Sequence, residues 1–216
     1  MPTLYHFPPS PFSRRVRLAL ALKGIPVELK NGREDPDSMA EALRHSPLGT
    51  MPVLVDGDVA LGDSLAIFQW LDVQSPEPPL WPRDPRTHAE AQLVVSSMDR
   101  ALDIFVEYGT RIFALRAHEA WPGIRDKALG RCRGSLAVVA ERARGREGRP
   151  LVGDAWGAAD IVVLTAAAWY AGLPARAPTF APAGQILSLG VELPPAIGAW
   201  AASHAGRADV LALDAI

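Results

Sequence analysis

A chain of 216 residues with a formal net charge of −2 lacks the positive field that nucleic-acid or acidic-membrane binding draws on, so neither partner is expected. Its single cysteine, Cys132, excludes an internal disulfide and a Cys-x-x-Cys redox pair. The five histidines, at 6, 45, 88, 118 and 204, show no zinc-binding spacing, and the apolar stretch Leu18 to Leu22 is too short to span a bilayer. These features predict a soluble, cytoplasmic protein without a metal.

In chain order, Leu4-Tyr5-His6-Phe7 is a short strand candidate, stopped by Pro8, Pro9 and Pro11. A helix is expected from Ser13, with Val16, Ala19, Leu20 and Lys23 at helical spacing and Gly24 ending it. Val27 to Lys30 forms a second strand. Asp37 or Ser38 then caps a short helix through Leu43, ended before Pro47. Pro52 leads into the strand Val53 to Val55, a position that tolerates proline because no ladder N–H is lost there. Asp56-Gly57 signals a type I′ hairpin to a fourth strand, Val59 to Leu61. Asp63 and Ser64 open a third helix that carries Leu65, Phe68 and Leu71 on one face. The first pair of strands, joined through a helix, should be parallel and the last pair antiparallel.

Residues 75–85 then hold five prolines in eleven positions and no usable period, as expected of a stiff linker. Beyond Arg86 the pattern becomes helical. Met98, Ala101, Leu102, Phe105 and Ile112 share one face of a long helix, and Ala128, Cys132, Leu136 and Val139 share a stripe on the next. Cys132 therefore reads as a small core residue. Gly157 to Ala171 has almost no charge after Asp160 and should be the buried centre of a helical second domain. Leu193 to His204 is a final helix candidate, whereas 175–190 carries no clear signal.

Two helix starts could carry chemistry, because the free N–H groups and positive dipole end found there favour an anion. At the first, Ser13 is the expected N-cap and Ser10, one turn outside, is left to face a ligand. No Gly-x-Ser-x-Gly elbow surrounds either serine, so neither resembles a hydrolase nucleophile. At the second, Asp63 and Ser64 either cap the helix or take the ammonium and carboxylate of a ligand bearing both.

The segments Ser10-Pro-Phe-Ser13-Arg-Arg-Val-Arg, Ser46-Pro-Leu-Gly49-Thr-Met51-Pro52-Val-Leu, Leu61-Gly-Asp63-Ser64-Leu-Ala-Ile and Leu151-Val-Gly-Asp154 to Asp160-Ile161, in that order, resemble the glutathione transferases. The resemblance implies a thioredoxin-like α/β N-terminal domain (βαβαββα) over residues 1–76, a proline-rich linker over 77–86 and an all-α helical C-terminal domain over 87–216. It implies glutathione as co-substrate, a small electrophilic molecule as second substrate, and a homodimer. Carried over by position, Ser10 donates to the glutathione sulfur, with Ser13 second in the same catalytic motif. Met51 pairs its backbone with the cysteinyl unit, Pro52 is a cis proline, and Asp63 and Ser64 hold the γ-glutamyl end. Thr50 stands where many members place a basic residue, leaving the glycyl carboxylate without an assigned contact. Tyr5 is the inferior candidate for the sulfur because it lies within a strand.

Met98, Leu102, Phe105 and Tyr108 are candidates for the electrophile pocket, with core packing as the competing role of each. The implied activity is attack of glutathione thiolate on an electrophile. The Ser-x-x-Ser-x-x-Val-Arg pattern also looks like the maleylacetoacetate isomerase branch, and a non-catalytic binding or assembly domain on the same fold is the rival of another class. Gly157 departs from the Ser or Thr helix cap often found there in the family, while Asp160 remains able to reach back to the helix start.

Overall fold

Strands β1 (Thr3–His6), β2 (Glu28–Asn31), β3 (Val53–Asp56) and β4 (Val59–Leu61) form a sheet in the order β2-β1-β3-β4. The computed structural model describes residues 1–46, 48–110, 112–207 and 210, and of residues 108–110 the backbone alone. β1 and β2 are parallel, as their connection through helix α1 (Pro11–Leu22) requires, while β1 with β3 and β3 with β4 are antiparallel. Alternation along the central strands separates two faces. Leu4 and Leu54 join the main core under α1 and α3 (Ser64–Gln74), and Tyr5 and Val53 meet Ala42 of α2 (Pro36–His45) on the other side.

Three local expectations are corrected. Helix α1 begins at Pro11 rather than Ser13, because proline fits the first helical turn, where its missing N–H would have no intrahelical partner. Helix α2 is capped by Asp35, which accepts from the N–H groups of Asp37 and Ser38, and it runs on to His45. Pairing of Asp56 with Val59 leaves Gly57 and Asp58 as the turn. Only Gly57 takes a positive φ, of 62°, which is the pattern of a type II′ rather than a type I′ hairpin.

The proline-rich connection is pinned at both ends. At the close of α1, the buried Lys23 ammonium donates to Ser75 O and Pro78 O at 2.6 and 2.8 Å and pairs with Asp72 at 2.8 Å, using all three of its donors. Asp72 in turn accepts the N–H groups of Leu80 and Trp81. Both residues are buried, so residues expected to be linker contribute to the core.

The helical half comprises α4 (Pro85–Thr110), a 3₁₀ turn (Ile112–Ala117), α5 (Trp121–Ala143), α6 (Ala158–Ala171), α7 (Leu173–Arg176), α8 (Ala181–Leu187) and α9 (Pro195–Ser203). Ile112 thus lies in the 3₁₀ turn, not on the long helix, and α7 and α8 occupy the stretch that carried no clear signal. Helix α6 packs against α1 as well as α4, and one apolar cluster runs through both halves. The helix expected at the centre of the second domain therefore sits at the centre of the molecule. Cys132 is fully buried in that cluster, and burial pushes its thiol up to about 11.

Gly157 is the residue before α6, and Asp160 accepts its N–H at 3.0 Å and that of Leu151 at 2.7 Å. Burial holds the Asp160 carboxyl up at about 6 against these two hydrogen bonds, which pull the other way. Leu80 O accepts the Ala158 N–H at 2.7 Å, and a Cβ on Gly157 would stand 2.5 Å from that same oxygen. The missing cap side chain is thus a matter of space. Replacing Gly157 by serine should destabilise the protein by about 1–3 kcal/mol through overpacking, although capping alone favours serine by a few tenths of a kcal/mol. Equilibrium denaturation of Gly157→Ser checks which effect wins.

Candidate functional site

Three chain segments build the site: the turn after β1, the entry to β3 and the start of α3. The first is the turn after β1. Ser10 is the N-cap of α1, and its hydroxyl oxygen accepts the Ser13 N–H at 3.4 Å. Ser13 lies inside the helix with no exposed surface, its own hydroxyl accepting the Phe7 N–H at 3.1 Å. The expected division of roles is reversed: Ser10 is the cap, and Ser13 locks the loop from below. Capping uses a lone pair of Ser10 and leaves its O–H hydrogen available to an acceptor in front of the helix.

The second segment leads into β3. The Met51–Pro52 peptide bond is cis. Ser46 Oγ accepts the Thr50 N–H at 3.1 Å and donates to Thr50 O at 2.9 Å, which fixes the chain just before Met51. The Met51 side chain lies against the bare α-carbon of Gly32, where an added Cβ would meet the methionine sulfur at 2.6 Å. Pro47 lies outside the described residues.

The third segment opens α3. Asp63 is its N-cap, and one carboxylate oxygen, Oδ1, accepts the N–H groups of Leu65 and Ala66 at 2.8 and 2.9 Å. Oδ2 takes no part in the cap. Ser64 is buried, and its hydroxyl oxygen accepts from two nitrogens of Arg15, Nε at 2.9 Å and Nη2. With both lone pairs engaged, the Ser64 hydroxyl can serve a ligand only as a donor, which suits a carboxylate. Arg15 is itself buried and forms an ion pair with Asp99 of α4.

These segments face one cavity of about 470 Å³, lined among others by Phe7, Ser10, Thr50, Met51, Pro52, Asp63 and Ser64. Its far wall comes from α4, which contributes Asp103, Val106 and Glu107. Partial desolvation at the cavity wall, followed by the neighbouring Asp99, raises the carboxyl of the otherwise exposed Asp103 above its ordinary value. A second cavity of about 400 Å³ continues from the first and shares Phe7, Ser10, Phe12, Arg33 and Val106 with it. Its remaining walls are chiefly apolar, from Trp169, Phe180, Pro182 and Ile186, with the Arg176 guanidinium among them.

Ser10, Thr50, Met51, Pro52, Asp63 and Ser64 are therefore brought together, while Ser13 is not on the cavity wall. Tyr5 is buried in β1 beneath α2, away from both cavities. Met98, Leu102 and Phe105 are corrected: they point into the helical core, and the faces of α4 and α6–α8 line the cavities instead. The apolar stripe of an amphipathic helix seeks its helical neighbours, so the cavity falls to the polar stripe of Asp103 and Glu107. The Tyr108 side chain lies outside the described residues. Sequence reasoning missed Asp103, Glu107, Arg33 and Arg176, whose charges read as ordinary solvated positions. Among the described residues there is no cluster of three metal-ligating side chains, and no helix is long and apolar enough to cross a membrane.

Residues 4–79 match the family described as glutathione S-transferase, N-terminal domain. Over 167 residues the chain is 32% identical to glutathione S-transferase 1 of Dianthus caryophyllus, covering 73% of this chain and 72% of that protein. It is 48% identical to glutathione S-transferase Z1 of Arabidopsis thaliana over 86 residues, a stretch that spans 38% of that relative's length. A glutathione S-transferase structure from Methylobacterium radiotolerans in complex with glutathione sulfonate superimposes with a TM-score of 0.73. It is 26% identical, and the match covers 98% of this chain and 93% of that one.

Removing Arg15 strands Asp99 and leaves the Ser64 oxygen without its donors. Breaking a largely buried ion pair from one side costs about 3–5 kcal/mol, so Arg15→Met should lower unfolding stability on that scale. Arg15→Met with Asp99→Leu should recover a large part of the loss in the same denaturation measurement.

Proposed function

Because this chain belongs to the glutathione S-transferase family, we propose that it binds glutathione in the first cavity and presents the thiolate, at Ser10, to an electrophile held in the second. The observation that carries this reading is the junction of the two cavities at the capped start of α1. Residues 1–76 bind the tripeptide, 77–86 connect, and 87–216 supply most of the electrophile's surroundings.

In this reading the γ-glutamyl carboxylate accepts the Ser64 hydroxyl hydrogen and the N–H groups at the start of α3, where the dipole favours it. Its ammonium meets the Asp63 oxygen that the cap leaves uncommitted, with Asp103 and Glu107 adding negative potential from α4. The backbone of Met51, held in place through Thr50, pairs with the cysteinyl unit and sets the sulfur before Ser10.

The energetics suffice. A free thiol has a pKa of about 8.5, and lowering it by roughly two units requires about 2.7 kcal/mol of preferential thiolate stabilisation. A hydrogen bond to a charged acceptor contributes about 1.5–3 kcal/mol and the helix terminus about 0.3–1 kcal/mol more. The thiolate then forms a bond to the electrophilic carbon, and the displaced electron pair leaves with a leaving group or collects a proton on the adjacent carbon.

A second reading, glutathione-dependent isomerisation, uses the same site but lets the sulfur depart again. It is favoured by the Ser10-x-x-Ser13-x-x-Val16-Arg17 pattern, and turnover of a maleyl ketone without net consumption of glutathione distinguishes it.

Ser10→Ala should raise the pKa of the bound thiol by about one to two units, as read from thiolate absorbance against pH, while glutathione still binds. Conjugation at neutral pH should fall by about 10- to 100-fold, the kinetic equivalent of one charge-assisted hydrogen bond. Wild-type turnover and thiolate absorbance in Ser10→Ala would remove Ser10 from the role.

A further inference from the structure

A third cavity, of about 310 Å³, lies between α6 and α9, and among the described residues it shares no lining residue with the two that meet at Ser10. Leu164, Ala168 and Ala171 line it from α6, Gly198 and Ala202 from α9, and Leu193 and Val210 from the chain on either side of α9. Among the described residues Arg14 of α1 is the one charged side chain on its wall.

From Ile161 to Ala171, and again from Pro195 to Ser203, the sequence has no charged residue. A helix that is apolar all round is ordinarily covered on every side, yet Ala168, Ala171, Gly198 and Ala202 are exposed. The chain supplies a cover beside the groove. Val210 already packs against the main core from the groove wall. The next residues, which lie outside the described ones, are Leu211-Ala212-Leu213-Asp214-Ala215-Ile216, with three large aliphatic side chains and one charge, an acid. Six residues reach about 20 Å when extended, enough to cross a cavity of this size. The acid complements the wall. Burial, followed by the Arg14 guanidinium, depresses the pKa of Arg176, so the Arg14 charge is felt by its neighbours.

We propose that residues 211–216 of the same chain dock in the groove between α6 and α9, their aliphatic side chains on its apolar walls and Asp214 toward Arg14. The docked segment ties α9 to α6 and, through Arg14, to α1, the helix that starts at Ser10. The proposal is independent of the transferase reading, since it concerns a cavity that neither proposed substrate enters.

Disulfide trapping in the full chain tests the location. Leu213→Cys is combined with Ala168→Cys on α6, with Ala202→Cys on α9, or, as a control, with Asp58→Cys in the exposed β3–β4 turn. The buried Cys132 does not compete. Under copper phenanthroline as oxidant, at least one groove pair should close within the chain at least about 10-fold faster than the control, because docking raises the effective concentration of the two thiols. Thermal unfolding tests the energetics. A chain ending at Val210 should lose at least about 4 °C in Tm, and Leu213→Ser about 2–6 °C. Asp214→Asn should cost less, and the difference should vanish at high salt. Amide hydrogen exchange at 164–171 and 198–205 should quicken in the shortened chain.

If the shortened chain does not fold, Leu213→Ser and the trapping rates decide the matter. Groove pairs that close no faster than the control overturn the proposal, as does an unchanged Tm in both the shortened chain and Leu213→Ser. A groove pair that closes only between two chains, read as a covalent dimer on a non-reducing gel, also overturns it, and assigns the groove to a second copy.

Discussion

The Arg15 guanidinium can leave water because groups from opposite halves of the molecule meet it, Ser64 at the start of α3 and Asp99 on α4. Withdrawing a cation from water costs several kcal/mol, which is offset only when the partner charge and the remaining hydrogen bonds are well placed. That requirement ties the three helices α1, α3 and α4 to a common point. The point borders the first cavity: Ser64 is in its wall, and Asp103, one helical turn beyond Asp99, faces it from α4. The distance between the two sides of the cavity therefore depends on the ion pair of Arg15 with Asp99, neither of which lines it.

The groups proposed to act on the ligand are also the groups that begin helices, and the two duties fall on different atoms. Ser10 uses a lone pair for its cap and retains its hydrogen. Asp63 uses one oxygen for its cap and retains the other. Ser64 is denied its lone pairs by Arg15 and becomes a donor alone. Cap and ligand contact, which compete when a residue is considered whole, coexist when its atoms are counted. A helix start capped in this way keeps its ligand-facing groups in fixed directions, which the proposed attack by sulfur requires.

Much of the scaffold was legible beforehand. The strands and the first three helices follow from alternation, proline stops and cap residues between Leu4 and Leu71, and the burial of Cys132 follows from its helical stripe. Boundaries moved where two local signals competed, as at Pro11, which can start a helix as readily as prevent one. Of the candidate site, the segments at Met51-Pro52 and Asp63-Ser64 that line the cavity were legible, because a proline marks the strand entry and cap residues mark the helix start. It was not legible on α4. There the conspicuous apolar residues Met98, Leu102 and Phe105 serve the core, and the cavity takes the polar side of the helix, which in sequence is indistinguishable from a face in solvent.

The linker makes the same point in reverse. Its prolines announced an extended connection, and nothing local revealed that Lys23 and Asp72 would gather it in, or that Leu80 would press its carbonyl against Gly157 and leave no room for a side chain.

The sequence by itself determined the succession of elements, the faces they bury and the positions of the two helix starts, because periodicity, proline and capping act over a few residues. The tertiary structure alone decided which charges meet. Arg15 with Asp99, and Lys23 with Asp72, join residues far apart in the chain, and such pairings depend on how the helices cross rather than on any local preference.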